Sequence, residues 1–373
     1  MADAPFIESL LLTDFRSYPS LDARFDGRPV VLYGENGAGK TNLLEAISLL
    51  SPGRGLRRAK LPDIARIEDG NAAPLWGVAA RLCGGEQPVN IGTGQYPGNA
   101  GRRQIRIDGA GASGTALAKL LTINWLTPAQ DRLFTGPASD RRKFLDRLCL
   151  VHAAGHGRTF LAYEKSRAER GRLFADGIDD PYWFDALETD MAERGAKIAA
   201  ARWAAVKKLQ AEIAARPEGH FPKAVIALSG EAEDLFAAGA DEMDVCAYIK
   251  SALKDDRVLD RRAGRTLRGV HKTDLMVTHL AKQMPASACS TGEQKALLIG
   301  LILAHARAQE KRRPILLLDE VAAHLDEARR GALAEELLAL KTQVFLTGTD
   351  IDLFTVFGAR AQMFQVAEGC LKA

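Results

Sequence analysis

The segment VVLYGENGAGKTNLLEAISLL (30–50) constrains this chain more than any other. An apolar run enters a glycine-rich turn, and apolar residues at 43, 44, 47 and 50 then mark one face of a helix. Strand, glycine loop, helix is the context in which the pattern G-x-x-x-x-G-K-[ST] grips phosphate. Glycines let backbone N–H groups converge on phosphate oxygens, and the helix N-terminus adds positive potential. Gly34, Glu35, Asn36, Gly37, Ala38 and Gly39 are therefore expected around a nucleotide, with Asn42 just inside the helix. Lys40 is expected to reach the β- and γ-phosphates and Thr41 to ligate Mg²⁺. The cofactors implied are ATP and Mg²⁺.

The matching piece lies at the other end of the chain. PILLLDE (314–320) has the continuous apolar run of a buried parallel strand, closed by two acids. Asp319 is expected to hold magnesium through water and Glu320 to polarise an attacking water. One α/β sheet must then be built from both chain ends. A third piece, SACSTGEQKALLIGLILAHARAQ (287–309), places Ser290 and Gly292 just before a helix. That arrangement makes either a second anion site or an ordinary serine N-cap.

Between these pieces the character changes. Short apolar runs with frequent Gly and Pro over 51–123 suggest an antiparallel subsheet, and DFRSYPSLDARFDGR (14–28) reads as turn-rich. From 141 onward the chain is helical. In 181–216 apolar side chains at Leu187, Met191, Ile198, Val206, Leu209 and Ile213 approach a coiled-coil seam, with a polar break at Arg194 and Arg202. Such a helix spans only ~54 Å, so a short arm is expected, ended by Pro217 and Pro222. The expected division is 1–143 for the N-terminal half of a head, 144–260 for the helical insertion, and 261–373 for the C-terminal half.

Composition excludes little. The 373 residues carry a net charge of +3, with 47% hydrophobic and 26% charged residues, an ordinary globular balance. The scattered cysteines lack metal-ligand spacing, no secretory leader is evident, and the longest apolar run is too short for a membrane span. The expectation is a cytoplasmic protein with no membrane partner.

Taken together, the early phosphate loop, the S-x-G signature and the acid-ended strand resemble the ATP-binding cassette superfamily, with a head of the SMC and Rad50 kind. Within it, LTDFRSY (12–18), GPASDRRKFLDRL (136–148), GRTLRGVHKTDL (264–275), CSTGEQK (289–295) and LLLDEVAAHLD (316–326) resemble the RecF family over essentially the whole chain. The resemblance implies an ATPase whose signature Ser290 and Gly292 complete the nucleotide site of a second copy, so that ATP closes a head-to-tail homodimer. It implies catalytic roles for Lys40, Glu320 and Ser290, an approach of Arg16 to the nucleotide, and a lobe-bridging, metal-side role for Gln130. Asp326 would lie across the dimer interface, with His324 packed beside it, and Thr347 or Thr349 would replace the switch histidine of transporters.

The resemblance further implies binding to double-stranded DNA near single-strand gaps, weak DNA-stimulated hydrolysis, and RecR with RecO as partners in loading RecA. Basic clusters offer phosphate contacts at Arg54, Arg57, Arg58 and Lys60, at Arg141 and Arg142, and at Arg261 and Arg262. Each cluster taken alone is as readily a solvated surface. Alternatives are an ATPase subunit of a transporter or of a nuclease-linked complex, or a DNA scaffold that binds without turnover.

Overall fold

Phe6–Phe15 (β1) shows the alternation of a half-buried strand: Leu10, Leu12 and Phe15 are buried, whereas Leu11 and Thr13 face out. A register shift between Ile7 and Ser9 accounts for the irregular start. β1 turns through Arg16 and Ser17 into Tyr18–Arg24 (β2), with Leu12 opposite Leu21. The segment expected to be turn-rich thus holds a strand. Tyr18, Leu21 and Ala23 carry its buried face, and the intervening Pro19 and Asp22 hid the pattern.

Val30–Tyr33 (β3) leads to Lys40–Ser48 (α1). Ile67–Glu68 (β4) and Asn71–Ala72 (β5) form a small ribbon, followed by Trp76–Cys83 (β6), Val89–Gln95 (β7), Gln104–Ile107 (β8) and Ala110–Gly111 (β9). Gly114–Leu120 (α2) then precedes Ile123–Leu126 (β10). The order β2-β1-β6-β7-β8-β9 makes the antiparallel sheet expected over 51–123, extended by the first two strands.

The middle of the chain is mostly helical: Ala138–His152 (α3), His156–Ala175 (α4) and Pro181–Ala215 (α5), then Ala224–Ser229 (β11), Glu231–Ala237 (α6), Glu242–Asp255 (α7) and Arg257–Ala263 (α8). Asp274–His279 (β12) pairs antiparallel with β11 and with Met284–Pro285 (β13), and Thr291–Arg307 (α9) follows. Asp180 caps α5 by accepting from the Tyr182 N–H, and Pro181 takes the first helical position, where no N–H is needed.

The apolar stripe of α5 does not form a coiled-coil seam. Met191, Ala192, Ala196, Ile198 and Ala199 pack with Tyr163, Val245, Ile249, Leu253 and Val270 into one core. Arg202, expected as a polar break, is fully buried. It reaches Asp146 at 2.8 and 3.0 Å and the Val270 carbonyl at 2.6 Å. Arg170 is equally buried, against Glu188 at 3.0 Å and Asp260 at 2.5 Å. The insertion is a packed helical body in place of the expected arm.

Ile315–Leu318 (β14), Glu327–Ala339 (α10), Val344–Gly348 (β15), Gln362–Ala367 (β16) and Cys370–Lys372 (β17) complete the chain. They build a second sheet in the order β10-β14-β15-β3-β16-β17, parallel except at its β17 edge. The strands expected from the two chain ends, β3 and β14, therefore lie in one sheet with β15 between them.

This computed structural model describes residues 4–96, 102–153, 155–309 and 313–372. The chain divides into one unit of Met1–Gln130, Gly219–Phe221 and Ile302–Ala373, and another of Asp131–Glu218 and Pro222–Leu301. These boundaries differ from those expected. α3 packs on α5 and β12, and Ser290 falls in the helical unit because its segment follows the β11–β12–β13 sheet.

Candidate nucleotide site

In an open parallel sheet, ligands bind beyond the carboxyl ends of the strands. β3 delivers the glycine loop there and β14 delivers Asp319 and Glu320, with one strand between them. α1 anchors the loop from behind, with Leu43, Leu44, Ala46 and Ile47 fully buried.

Gly39 takes a left-handed φ of 113°, and a Cβ there would meet Ser17 Oγ and Tyr18 Oη, each at 2.9 Å. The Tyr18 hydroxyl itself donates to the Gly39 carbonyl at 3.0 Å. The β1–β2 hairpin thus braces the loop, which no local motif revealed.

Lys40 is 4% exposed and donates to the Gly34 and Glu35 carbonyls, each at 2.7 Å. Burial pulls its ammonium below the ordinary lysine pKa, partly opposed by the Glu320 and Asp319 carboxylates. Thr41 Oγ1 donates to Asp319 at 3.0 and 3.2 Å, so residues from the two chain ends meet directly. Asn42 Nδ2 donates to Ser17 Oγ at 2.9 Å. Glu320 follows β14 with a left-handed φ of 52°.

Other expected residues make contacts within the chain. Arg16 grips the buried Glu45 with two bonds of 2.9 Å and also donates to the Asp63 carbonyl. Its guanidinium is thus braced against α1. The Gln130 side-chain carbonyl accepts from the Thr127 N–H at 3.1 Å, closing its own turn. Asp326 caps α10 through the Arg329 N–H at 2.8 Å, and the side chain of His324 lies outside the described residues.

In the helical unit, Ser290 and Glu293 form a reciprocal capping arrangement at α9. The Ser290 N–H and Oγ both reach Glu293 Oε2 at 3.0 Å. Ser290 nevertheless remains exposed, with Gly292 partly so. Lys282 beside Glu293, together with the Ser290 bonds, draws that carboxyl down to about 2.

The basic residues separate clearly. Arg141 makes two 2.7 Å bonds to Asp274 and one of 2.6 Å to the Gly136 carbonyl. Arg142 donates to the Thr273 carbonyl at 2.9 Å, and Arg261 pairs with Asp179. Arg57 is shared between Asn42 at 2.7 Å and Glu45 at 3.2 Å. The donors of these four serve groups of the protein itself. Arg54, Arg58, Lys60 and Arg262 are exposed, with no ion-pair partner among the described residues.

Among the described residues no helix is long and apolar enough to cross a membrane. Residues 6–372 match the model of the RecF/RecN/SMC N terminal domain. The DNA replication and repair protein RecF of Mesorhizobium japonicum is 51% identical, covering 97% of this chain and 96% of the relative. Its counterpart in Brucella suis is 50% identical, covering 99% and 96%. The fold matches the recombination mediator protein RecF-ATPrS with a TM-score of 0.84 at 22% identity, covering 100% of this chain and 98% of that one. An Smc head domain from Pyrococcus furiosus matches at 0.57 and 17%, covering 99% and 95%. The head, assembled from both chain ends around a helical insertion, is of the ATP-binding cassette kind, and the chain belongs to the RecF family.

Proposed function

We propose that this chain is an ATP-dependent DNA-binding protein of recombinational gap repair. The observation that carries the nucleotide half is the 3.0 Å approach of Thr41 Oγ1 to Asp319 Oδ1. A hydroxyl and a carboxylate offer hard oxygens of the kind Mg²⁺ takes, beside the glycine loop at a helix N-terminus. The repair half rests on relatives described as DNA replication and repair proteins RecF, matched over nearly their whole length.

Bound Mg²⁺-ATP supplies the phosphoanhydride to be cleaved and the cation that neutralises its charge. Lys40 would turn from its two loop carbonyls to phosphate oxygens, Thr41 and Asp319 would hold the metal, and Glu320 would accept a proton from the attacking water. Ser290 and Gly292 of one copy complete the nucleotide site of the other, with Asp326 at the interface of a head-to-tail homodimer. Exposed Arg54, Arg58, Lys60 and Arg262 contact the phosphates of double-stranded DNA beside a gap. Hydrolysis is slow, stimulated by DNA, and releases the dimer. RecR with RecO are the partners, and RecA loading onto the gap is the outcome.

Light scattering with ATP and Mg²⁺, with and without gapped DNA, tests this reading. The wild-type chain should dimerise and Lys40→Ala should remain monomeric. Ser290→Arg should bind nucleotide as a monomer yet fail to dimerise. If Ser290→Arg instead loses nucleotide binding as a monomer, the signature acts within one chain and the head-to-tail arrangement is refuted.

A further inference from the structure

β15 reads Val344, Phe345, Leu346, Thr347, Gly348, and its first three residues are fully buried and apolar. Thr347 is also fully buried. A hydroxyl in the middle of a sheet is costly unless its hydrogen-bonding capacity is used. Here it is used on both sides. Thr347 Oγ1 donates to Asp319 Oδ1 at 2.8 Å and accepts from the Glu320 N–H at 2.9 Å.

Both bonds fall on the turn that follows β14. The Asp319 N–H donates at 2.8 Å to the Leu126 carbonyl of β10, on the other side of β14. The acidic turn is therefore tied to each neighbouring strand, to β10 through Asp319 and to β15 through Glu320. Glu320 holds the left-handed backbone described above, a conformation that side chains other than glycine, Asn and Asp seldom adopt. Its N–H is directed at the one hydroxyl available in β15.

Asp319 Oδ1 thus receives two hydroxyls of different standing. Thr41 is half-buried on the ligand side, whereas Thr347 is closed off from solvent. If Thr41 turns its oxygen towards a cation, the Thr347 bond is what still fixes the carboxylate. Thr349, the other threonine of the segment, is exposed and cannot take this part.

We infer that Thr347 is a positioning residue that holds both acids, presenting the Asp319 carboxylate to a divalent cation and setting the Glu320 backbone from which the general base projects. The inference rests on the nucleotide reading above. Valine would fill the same volume without the hydroxyl, and serine would keep the hydroxyl with less volume, so the two variants separate bonding from packing.

The experiment titrates Mn²⁺ into the full chain with a non-hydrolysable ATP analogue, read by electron paramagnetic resonance, alongside ATP turnover. Outer partners of metal ligands are commonly worth 10–100-fold, so Thr347→Val should weaken Mn²⁺ affinity and turnover by about tenfold or more. Analogue binding in EDTA should stay within about twofold of wild type, and Thr347→Ser should recover Mn²⁺ affinity to within about threefold. Wild-type Mn²⁺ affinity in Thr347→Val, or equal loss in Thr347→Ser and Thr347→Val, overturns the inference. If circular dichroism shows Thr347→Val unfolded, Thr347→Cys, a similar volume with a weak donor, takes its place under the same criteria. A wild-type chain that binds no Mn²⁺ with the analogue would instead break the nucleotide reading itself.

Discussion

The two units keep charge away from water in opposite ways. In the helical unit, Arg170 and Arg202 are closed off completely, with counter-ions drawn from distant segments: Glu188 and Asp260 for one, Asp146 for the other. In the nucleotide unit, Lys40 is almost as buried, yet its partners are two carbonyls of its own loop. Carboxylates brought from elsewhere in the chain fix a fold, because losing one leaves a buried charge unpaired. Carbonyls a few residues away can be exchanged for a ligand at little cost to the fold. The same physics thus serves architecture in one unit and readiness in the other.

The comparison breaks most directly at Arg170. Arg170→Ala should destabilise the chain by about 3–5 kcal/mol in urea unfolding, since Glu188 and Asp260 are left buried without their partner. A loss below about 1 kcal/mol would mean that the buried pairs do not hold the helical unit. Glu320→Gln acts on the other side of the contrast. It keeps shape and hydrogen bonding but removes the base, so turnover should fall by about 10²-fold or more while the urea midpoint hardly moves. Unchanged turnover would remove Glu320 from catalysis.

A smaller effect separates the two kinds of arginine at the surface. Arg58→Ala should lower the salt slope of DNA binding by about one unit, whereas Arg141→Ala should leave the slope unchanged and reduce stability instead. Equal slopes in both variants would merge the two classes. The smallest effect concerns the Ser290 cap. The folded pKa of Glu293 lies below its ordinary value, so the stabilisation it brings is present above the ordinary carboxylate range and fades as pH falls towards about 2. A carboxyl titration by NMR with its midpoint in the ordinary glutamate range would show that Lys282 and Ser290 do not hold it.

The sequence showed what is local. The phosphate loop, the acid-ended strand and α5, whose 35 residues match the expected helix almost end to end, all follow from periodicity and capping within one segment. What was missed depends on partners far along the chain. Arg202 looks like a surface break in a seam until Asp146 and the Val270 carbonyl are brought to it. β2 hides because the exposed Pro19, Ser20, Asp22 and Arg24 outnumber the buried Tyr18, Leu21 and Ala23. Thr347 could be singled out as a polar residue in an apolar run, but its attachment to Asp319 and Glu320 required the strand order. The pairing of Arg141 was likewise hidden, because Asp274 is remote in sequence.

The strand order also bears on how the chain is made. β3 is flanked by β15 and β16, so the strand that opens into the phosphate loop has neither neighbour until residues beyond Val344 have been synthesised. β1, β2, β6 and β7 pair among themselves and can assemble while the ribosome is still at work. Closing the second sheet means joining β3 to β15 and β16 across the whole helical insertion, the slow kind of contact in folding. A nascent chain stalled before Val344 would therefore carry a complete phosphate-binding sequence but no phosphate-binding site. Competence for nucleotide therefore waits on the strands from Val344 onward.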